Sequence, residues 1–128
     1  MASTESKVLV SVVDDDESLR KTVSRIVRSG GLEVVTYCSA EEFLERGPKD
    51  SACLILDFNL PGISGVDLQE RLNRSGSRIP IIFISADADE PTREKALRAG
   101  AVRFLSKPFS VLSLLDAVRS TRPVTGNP

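Results

Sequence analysis

Three carboxylates stand where acidic side chains could act together. Asp14 and Asp15 follow the apolar run VLVSVV, and Asp57 follows the apolar run ACLIL. If these runs are neighbouring parallel strands, their carboxyl ends bring the three acids to one edge of a sheet. Like charges that close resist ionisation, and a divalent cation relieves the repulsion. Because hard oxygen ligands suit Mg²⁺ better than zinc or copper, the pattern predicts a small Mg²⁺ site.

Two further polar residues, Ser85 and Lys107, stand at the ends of later apolar runs. A phosphoryl group in transfer carries negative charge on three oxygens, so its site must neutralise that charge while the nucleophile attacks in line. Mg²⁺, Lys107 and Ser85 could each serve one oxygen. The nucleophile would be an acid that becomes an acyl phosphate, and spacing leaves open which of the three carboxylates it is.

The elements that must position these residues are five strand-like runs separated by helical segments. We expect strands at residues 8–13, 33–37, 52–56, 80–84 and 102–105. Each helix has a starting signal, namely Asp16, a capping box of Ser39 and Glu42, Ser64, Pro91 and Ser110. The fourth helix, residues 91–99, has few apolar residues, and we expect it to be weakly held. Five alternations predict an α/β fold, a three-layer sandwich with a doubly wound parallel sheet.

Composition restricts what else the chain could do. With 128 residues and a net charge of −1, it has the size of one domain and no overall attraction to nucleic acid or anionic membrane. It has no membrane-length apolar run and no signal-peptide pattern at its start, so we expect a cytoplasmic protein. Histidine is absent, which excludes histidine-dependent triads and zinc sites. Cys38 and Cys53 are expected to be reduced thiols.

Four motifs, VVDDDES, ILDFNLPGISG, FISA and FLSKPF, resemble the signatures of bacterial two-component response-regulator receiver domains, the CheY-like family. They occur in the family's order and extend over nearly the whole chain. The resemblance implies a flavodoxin-like sheet of strand order 2-1-3-4-5. It also implies a receiver domain over residues 8–121, a flexible N-terminal tail over 1–7, and a C-terminal tail or truncated linker over 122–128.

The resemblance assigns roles to the polar residues. Asp57 would accept a phosphoryl group from the phosphohistidine of a sensor histidine kinase or phosphotransfer protein. Mg²⁺, for which Mn²⁺ could substitute, would be bound by Asp57, by Asp15 directly, by Asp14 through water and by the backbone carbonyl of Asn59. Lys107 would pair with Asp57 or its phosphate. The peptide bond before Pro108 is expected to be cis.

The same resemblance implies a switch. Ser85 would move toward the phosphate and Phe104 would turn into the space left behind, changing the surface of the fourth helix and fifth strand. Asn59 and Asp87 occupy positions that tune phosphate lifetime. The expected partner is an output domain or target protein, and a phosphorylation-dependent dimer stays open. The chain would catalyse only its own phosphorylation and dephosphorylation.

Two other functions compete with this interpretation. A haloacid-dehalogenase-like, Mg²⁺-dependent phosphohydrolase would need a second aspartate two residues after its nucleophile, and Asn59 stands there instead. A pseudo-receiver that only binds partners usually lacks one of the acids or the lysine, whereas this chain keeps all of them.

Overall fold

The computed structural model describes residues 8–47, 51–86 and 89–121, where five strands alternate with five helices. The strands are β1 (Leu9–Val13), β2 (Glu33–Tyr37), β3 (Cys53–Asp57), β4 (Ile81–Ser85) and β5 (Arg103–Ser106). The helices are α1 (Glu17–Ser29), α2 (Ala40–Arg46), α3 (Gly65–Arg74), α4 (Glu90–Arg98) and α5 (Val111–Ser120). The two expected tails and Asp87 lie outside the described residues.

All strand pairs are parallel, and the sheet order is β2-β1-β3-β4-β5. This confirms the predicted fold class and strand order. Because β1 pairs with both β2 and β3, the order reverses at β1, and the carboxyl ends of β1 and β3 flank the reversal point. Ligands of open α/β sheets bind at such a point.

Helices cover both faces of the sheet, and the two faces have different chemistry. The face under α1 and α5, which we call the aliphatic face, buries mainly branched side chains, among them Val12, Val23, Val27, Ile55, Ile84, Leu114 and Val118. The face under α2, α3 and α4, which we call the aromatic face, contains Tyr37, Phe43, Phe58, Phe83 and Phe104 with Leu56, Leu68 and Ala96. Burial of both layers explains why the central strands are continuously apolar.

Most predicted strand ends differ from the structure by one residue. Asp57 and Ser85 were expected to follow their strands, but each is the last residue of its strand, with Asp57 paired to Ile84 and Ser85 to Ser106. The reason is that the ladder joins backbone groups and continues regardless of side-chain polarity. Both side chains therefore belong to the rigid edge of the sheet.

The helix starts follow the predicted caps with two corrections. Three of the predicted caps accept hydrogen bonds through their side chains from backbone N–H groups of the helix that follows, namely Asp16, Ser64 and Ser110. Ser39 accepts from the Glu42 N–H, but the Glu42 carboxylate accepts from Cys38 N–H and not from Ser39, so the expected reciprocal capping box is wrong in its second half. Helix α4 starts at Glu90 behind the cap Asp89, which makes Pro91 its second residue. Among the described residues, no helix combines the length and apolarity that crossing a membrane requires.

Candidate functional site

The ends of β1 and β3 bring the three predicted acids together. One carboxylate oxygen from each of Asp14, Asp15 and Asp57 lies within 4.8 Å of the others. Asp14 and Asp57 are buried, whereas Asp15 is exposed. The cluster is a set of hard oxygen donors open to solvent on one side, which is suitable for binding a divalent cation.

The two carboxylate oxygens of Asp14 differ in their hydrogen bonding. Its Oδ1 accepts from the Asp16 N–H at 2.8 Å, while its buried Oδ2 has no hydrogen-bond partner among the described residues. Burial, with a smaller contribution from the Asp57 charge, raises the pKa of Asp14 from 3.8 to about 6. A buried carboxylate oxygen without a partner is costly, and a cation beside it would remove that cost. These residues therefore fit the metal that the sequence predicts.

Asp57 is held in place by the loop that follows it. Its Oδ1 accepts from the Asn59 N–H at 3.1 Å. Burial raises the pKa of Asp57, against the smaller lowering effects of the Asn59 N–H and of Lys107. Lys107 Nζ lies 3.8 Å from Asp57 Oδ1 and also 3.8 Å from Asp14 Oδ2. The lysine thus lies between two carboxylates, whereas the family resemblance implied a pair with Asp57 or its phosphate.

Ser85 connects the loop after Asp57 with the loop that carries Lys107. Its hydroxyl is buried and accepts from the Asn59 side-chain amide at 3.4 Å. Its carbonyl accepts from the Lys107 N–H at 2.8 Å. The peptide bond between Lys107 and Pro108 is cis. The sheet therefore brings Asp57, Asn59, Ser85 and Lys107 to the same edge.

Phe104 is buried on the aromatic face beside two other rings. Its centroid lies 5.4 Å from that of Phe58 and 5.8 Å from that of Phe83, and the Phe58 and Phe83 centroids are 5.4 Å apart. Phe58 directly follows Asp57, so these three rings, the phenylalanine cluster, connect Asp57 to β5. Sequence reasoning singled out Phe104 and missed Phe58, although its position next to Asp57 was a usable signal.

Gly65 is a second residue that sequence reasoning missed. A Cβ atom at this first residue of α3 would lie 2.6 Å from the Asp57 carbonyl oxygen and 3.1 Å from the Phe58 Cα. Because both contacts are with backbone, only glycine allows α3 to begin so close to Asp57. The second glycine of ILDFNLPGISG was the available signal.

Helix α4 is attached to the aromatic face by few contacts. Of the apolar residues in the segment 91–99, Ala96 is buried, while Leu97 and the C-cap residue Ala99 are exposed. Two side-chain amides of α3 supplement this contact, since Gln69 Nε2 donates to Ala96 O at 3.2 Å and Asn73 Nδ2 to Ala99 O at 3.1 Å. A cavity of about 200 Å³ lies between α3 and α4 beside Phe58.

Comparison with known proteins assigns this fold and site to a family. The profile of the response regulator receiver domain matches residues 10–119. The chain therefore belongs to the receiver-domain family of two-component response regulators, a family of signalling proteins.

Named relatives agree with this assignment. The chain is 49% identical over 114 residues to nodulation protein W of Bradyrhizobium diazoefficiens, a match that covers 88% of this chain and 50% of that protein. It is 43% identical over 113 residues to the response regulator protein TodT of Pseudomonas putida, covering 88% of this chain and 50% of TodT. The chain thus spans about half the length of these curated relatives.

Solved structures are similar to the whole described fold. The response regulator StyR superposes with a TM-score of 0.83 at 44% identity, covering 91% of this chain and 59% of StyR. The structure titled FixJ-N superposes with a TM-score of 0.79 at 32% identity, covering 91% of this chain and 94% of that one.

Proposed function

We propose that this chain is a phosphorylation-controlled switch in which Asp57 is the phosphoacceptor. The observation that carries this proposal is the position of Asp57, a buried carboxylate at a strand end with Lys107 Nζ 3.8 Å away and two further acids beside it. A structural role alone does not require three acids and a lysine at one point, because clustered buried charges are costly.

The proposed reaction is phosphoryl transfer from a phosphohistidine to Asp57. A carboxylate oxygen of Asp57 forms the new bond to phosphorus, and the phosphorus–nitrogen bond breaks with its electron pair returning to the imidazole. Lys107 neutralises negative charge on the phosphoryl oxygens, and the Ser85 hydroxyl donates to one of them. The donor is a sensor histidine kinase or a phosphotransfer protein.

The metal proposed for this site is Mg²⁺, with Mn²⁺ as a substitute. Asp15 and Asp57 would bind it directly, Asp14 through water, and the Asn59 carbonyl would complete the protein ligands. When bound, the ion would supply positive charge for a phosphoryl oxygen and for Asp14 Oδ2, which accepts no hydrogen bond from the described residues. Asn59 and Asp87 are proposed to tune the lifetime of the phosphate.

The proposed response is a change of the α4 and β5 surface. Ser85 moves toward the phosphate, and the phenylalanine cluster transmits this movement to Phe104 and α4. The weak attachment of α4 through Ala96 supports this step, because a segment with few buried contacts changes position at low cost. The signal passes to an output domain or target protein in the cytoplasm, and a phosphorylation-dependent dimer is one form of that response.

Intact-mass spectrometry after incubation with acetyl phosphate and Mg²⁺ tests the proposal. The wild type should gain the mass of one phosphoryl group, and Asp57→Asn should gain none. Asp116→Asn is the matched control, since it makes the same change at an exposed position of α5 and should label like the wild type. Lys107→Ala should still label but lose the α4 response.

Two results would contradict the proposal. An unlabelled wild type would leave a pseudo-receiver that only binds partners. Equal labelling of wild type and Asp57→Asn would place the acceptor elsewhere.

A further inference from the structure

Arg20 of α1 contacts the backbone between the first two acids. Its Nη1 donates to the Asp14 carbonyl oxygen at 2.7 Å. This carbonyl belongs to the peptide that joins Asp14 to Asp15, so the contact lies at the one backbone link between two proposed metal ligands. The Arg20 side chain is half-buried there.

The Asp14 carbonyl depends on this side chain because the sheet does not supply its donor. Pairing of β1 with β2 ends at Val13 and Tyr37, and the Asp14 N–H makes the last bond, to Tyr37 O at 3.1 Å. In a continuing parallel ladder, the N–H of Ser39 would donate to the Asp14 carbonyl. Ser39 instead caps α2, and the Arg20 guanidinium takes the place of that strand donor.

With this contact, Asp14 is fixed at three points. Its N–H donates to Tyr37, its carbonyl accepts from Arg20, and its Oδ1 accepts from the Asp16 N–H. The atom left over is Oδ2, which lies 3.8 Å from Lys107 Nζ in the acid cluster. The backbone on both sides of the Asp14–Asp15 link is thereby held in one orientation.

We propose that Arg20 is a positioning residue for the metal site, which fixes the Asp14–Asp15 peptide so that both carboxylates converge on the ion. This inference rests on the proposed function, because it concerns the same Mg²⁺ site. Arg20 does not touch the ion or the phosphoryl group. It acts through the backbone that carries two of the ligands, as partners of ligands do in other metal sites.

If Arg20 acted only through its charge, its removal would change the Mg²⁺ affinity in the opposite direction. A cation near the site repels Mg²⁺, so its removal by simple electrostatics would tighten metal binding. Loss of a positioning contact weakens it. Lys21, the next residue of α1, is exposed and pairs with Glu17 at 3.5 Å, so Lys21→Ala removes the same charge without touching Asp14.

Calorimetric titration with Mg²⁺, without a phosphoryl donor, separates these effects. Arg20→Ala should weaken Mg²⁺ binding by on the order of tenfold. Lys21→Ala should change binding by less than about twofold, toward tighter binding. Arg20→Lys, which keeps the charge and one donor, should lie between the wild type and Arg20→Ala. The backbone amide signal of Asp15 in nuclear magnetic resonance spectra should shift in Arg20→Ala and stay in place in Lys21→Ala.

The outcomes separate this inference from the proposed function. If the wild type binds no Mg²⁺, the proposed function fails and the inference fails with it. If the wild type binds Mg²⁺ and is labelled at Asp57, but Arg20→Ala binds Mg²⁺ as tightly as Lys21→Ala does, the inference alone is overturned. Should Arg20→Ala not fold, as judged by thermal unfolding, Arg20→Met, which keeps the apolar part of the side chain and has no donor, replaces it. Mg²⁺ binding as tight as in Lys21→Ala together with an unmoved Asp15 signal in Arg20→Met would overturn the inference equally.

Discussion

The aliphatic and aromatic faces of the sheet are built differently, although the same strands form both. On the aliphatic face, α1 and α5 contribute Val23, Val27, Leu114 and Val118, all of them buried. On the aromatic face, α4 contributes Ala96 as its one buried residue and is held partly by amide contacts from Gln69 and Asn73. This difference suggests that the aliphatic face stabilises the fold, while the aromatic face responds to changes at the acid site.

Asp57 is linked directly to the aromatic face. Phe58 follows Asp57 and belongs to the phenylalanine cluster, which continues to Phe104 on β5. Ring contacts of this kind transmit displacement because protein interiors are close-packed and deform little. A change at Asp57 should therefore reach α4 before it reaches α1 or α5.

The largest effect should follow from Leu114→Ala on the aliphatic face. Leu114 is buried completely, and truncation leaves a cavity among Val and Ile side chains. We expect the free energy of unfolding to fall by about 2–5 kcal/mol. Urea unfolding measures it, and labelling of the folded fraction by acetyl phosphate should be unchanged. A loss below about 1 kcal/mol would mean that this face is not the main source of stability.

Asp14→Asn should have an intermediate effect on the free energy of unfolding, and it should raise that free energy where Leu114→Ala lowers it. The pKa of Asp14 is about 6 in the folded protein against an ordinary value of 3.8, so without metal the stability falls as the pH rises from about 4 to 6. At pH 7 the ionised, buried carboxylate is destabilising. Removing its charge should raise the free energy of unfolding by roughly 1–3 kcal/mol.

Urea unfolding at pH 4 and pH 7, with and without Mg²⁺, measures the Asp14→Asn effect. The increase in the free energy of unfolding should disappear at pH 4. At pH 7, Mg²⁺ should reduce the difference between the variant and the wild type, because the ion stabilises only a folded protein that binds it. Asp116→Asn is again the exposed control and should leave stability unchanged. A wild type whose metal-free stability rises between pH 4 and 6 would contradict this assignment.

The smallest effect should follow from Leu97→Ala on α4. Leu97 is 36% exposed, so truncation removes little buried surface, and we expect a change in the free energy of unfolding within about 0.5 kcal/mol. This leucine-to-alanine change is the counterpart of Leu114→Ala, and urea unfolding of the two variants sharpens the comparison between the faces. A fall in the free energy of unfolding similar to that of Leu114→Ala would show that α4 stabilises the fold as much as the helices of the aliphatic face do.

The fold class was predictable from the residues because its strong signals are local. Apolar runs bounded by caps such as Asp16 and Ser110 predict the alternation of strands and helices, and right-handed crossovers limit the topologies. The strand order itself came from the family resemblance, and the structure and the comparisons confirm it. Strand ends shifted by one residue because backbone pairing does not depend on side-chain polarity, as Asp57 and Ser85 show.

The convergence of the acids was also predictable, but their individual environments were not. That Asp14 Oδ2 accepts no hydrogen bond from the described residues, or that Lys107 lies equally far from two carboxylates, depends on side-chain positions several strands apart. The same holds for Arg20, whose role arises because Ser39 caps α2 and leaves a carbonyl at the end of β1 without a strand donor. Long-range contacts of this kind have no periodic signal in a sequence.

Hydrogen–deuterium exchange with and without beryllofluoride, a phosphoryl mimic, in the constant presence of Mg²⁺ tests the central claim most directly. Exchange times should be short enough to report local opening only. In the wild type, peptides from α4 and β5 should change their exchange rates, while peptides from α1 and α5 should not. In Asp57→Asn, no peptide should change. Equal changes on both faces of the sheet, or the same changes in Asp57→Asn, would contradict a switch that starts at Asp57 and acts through the aromatic face.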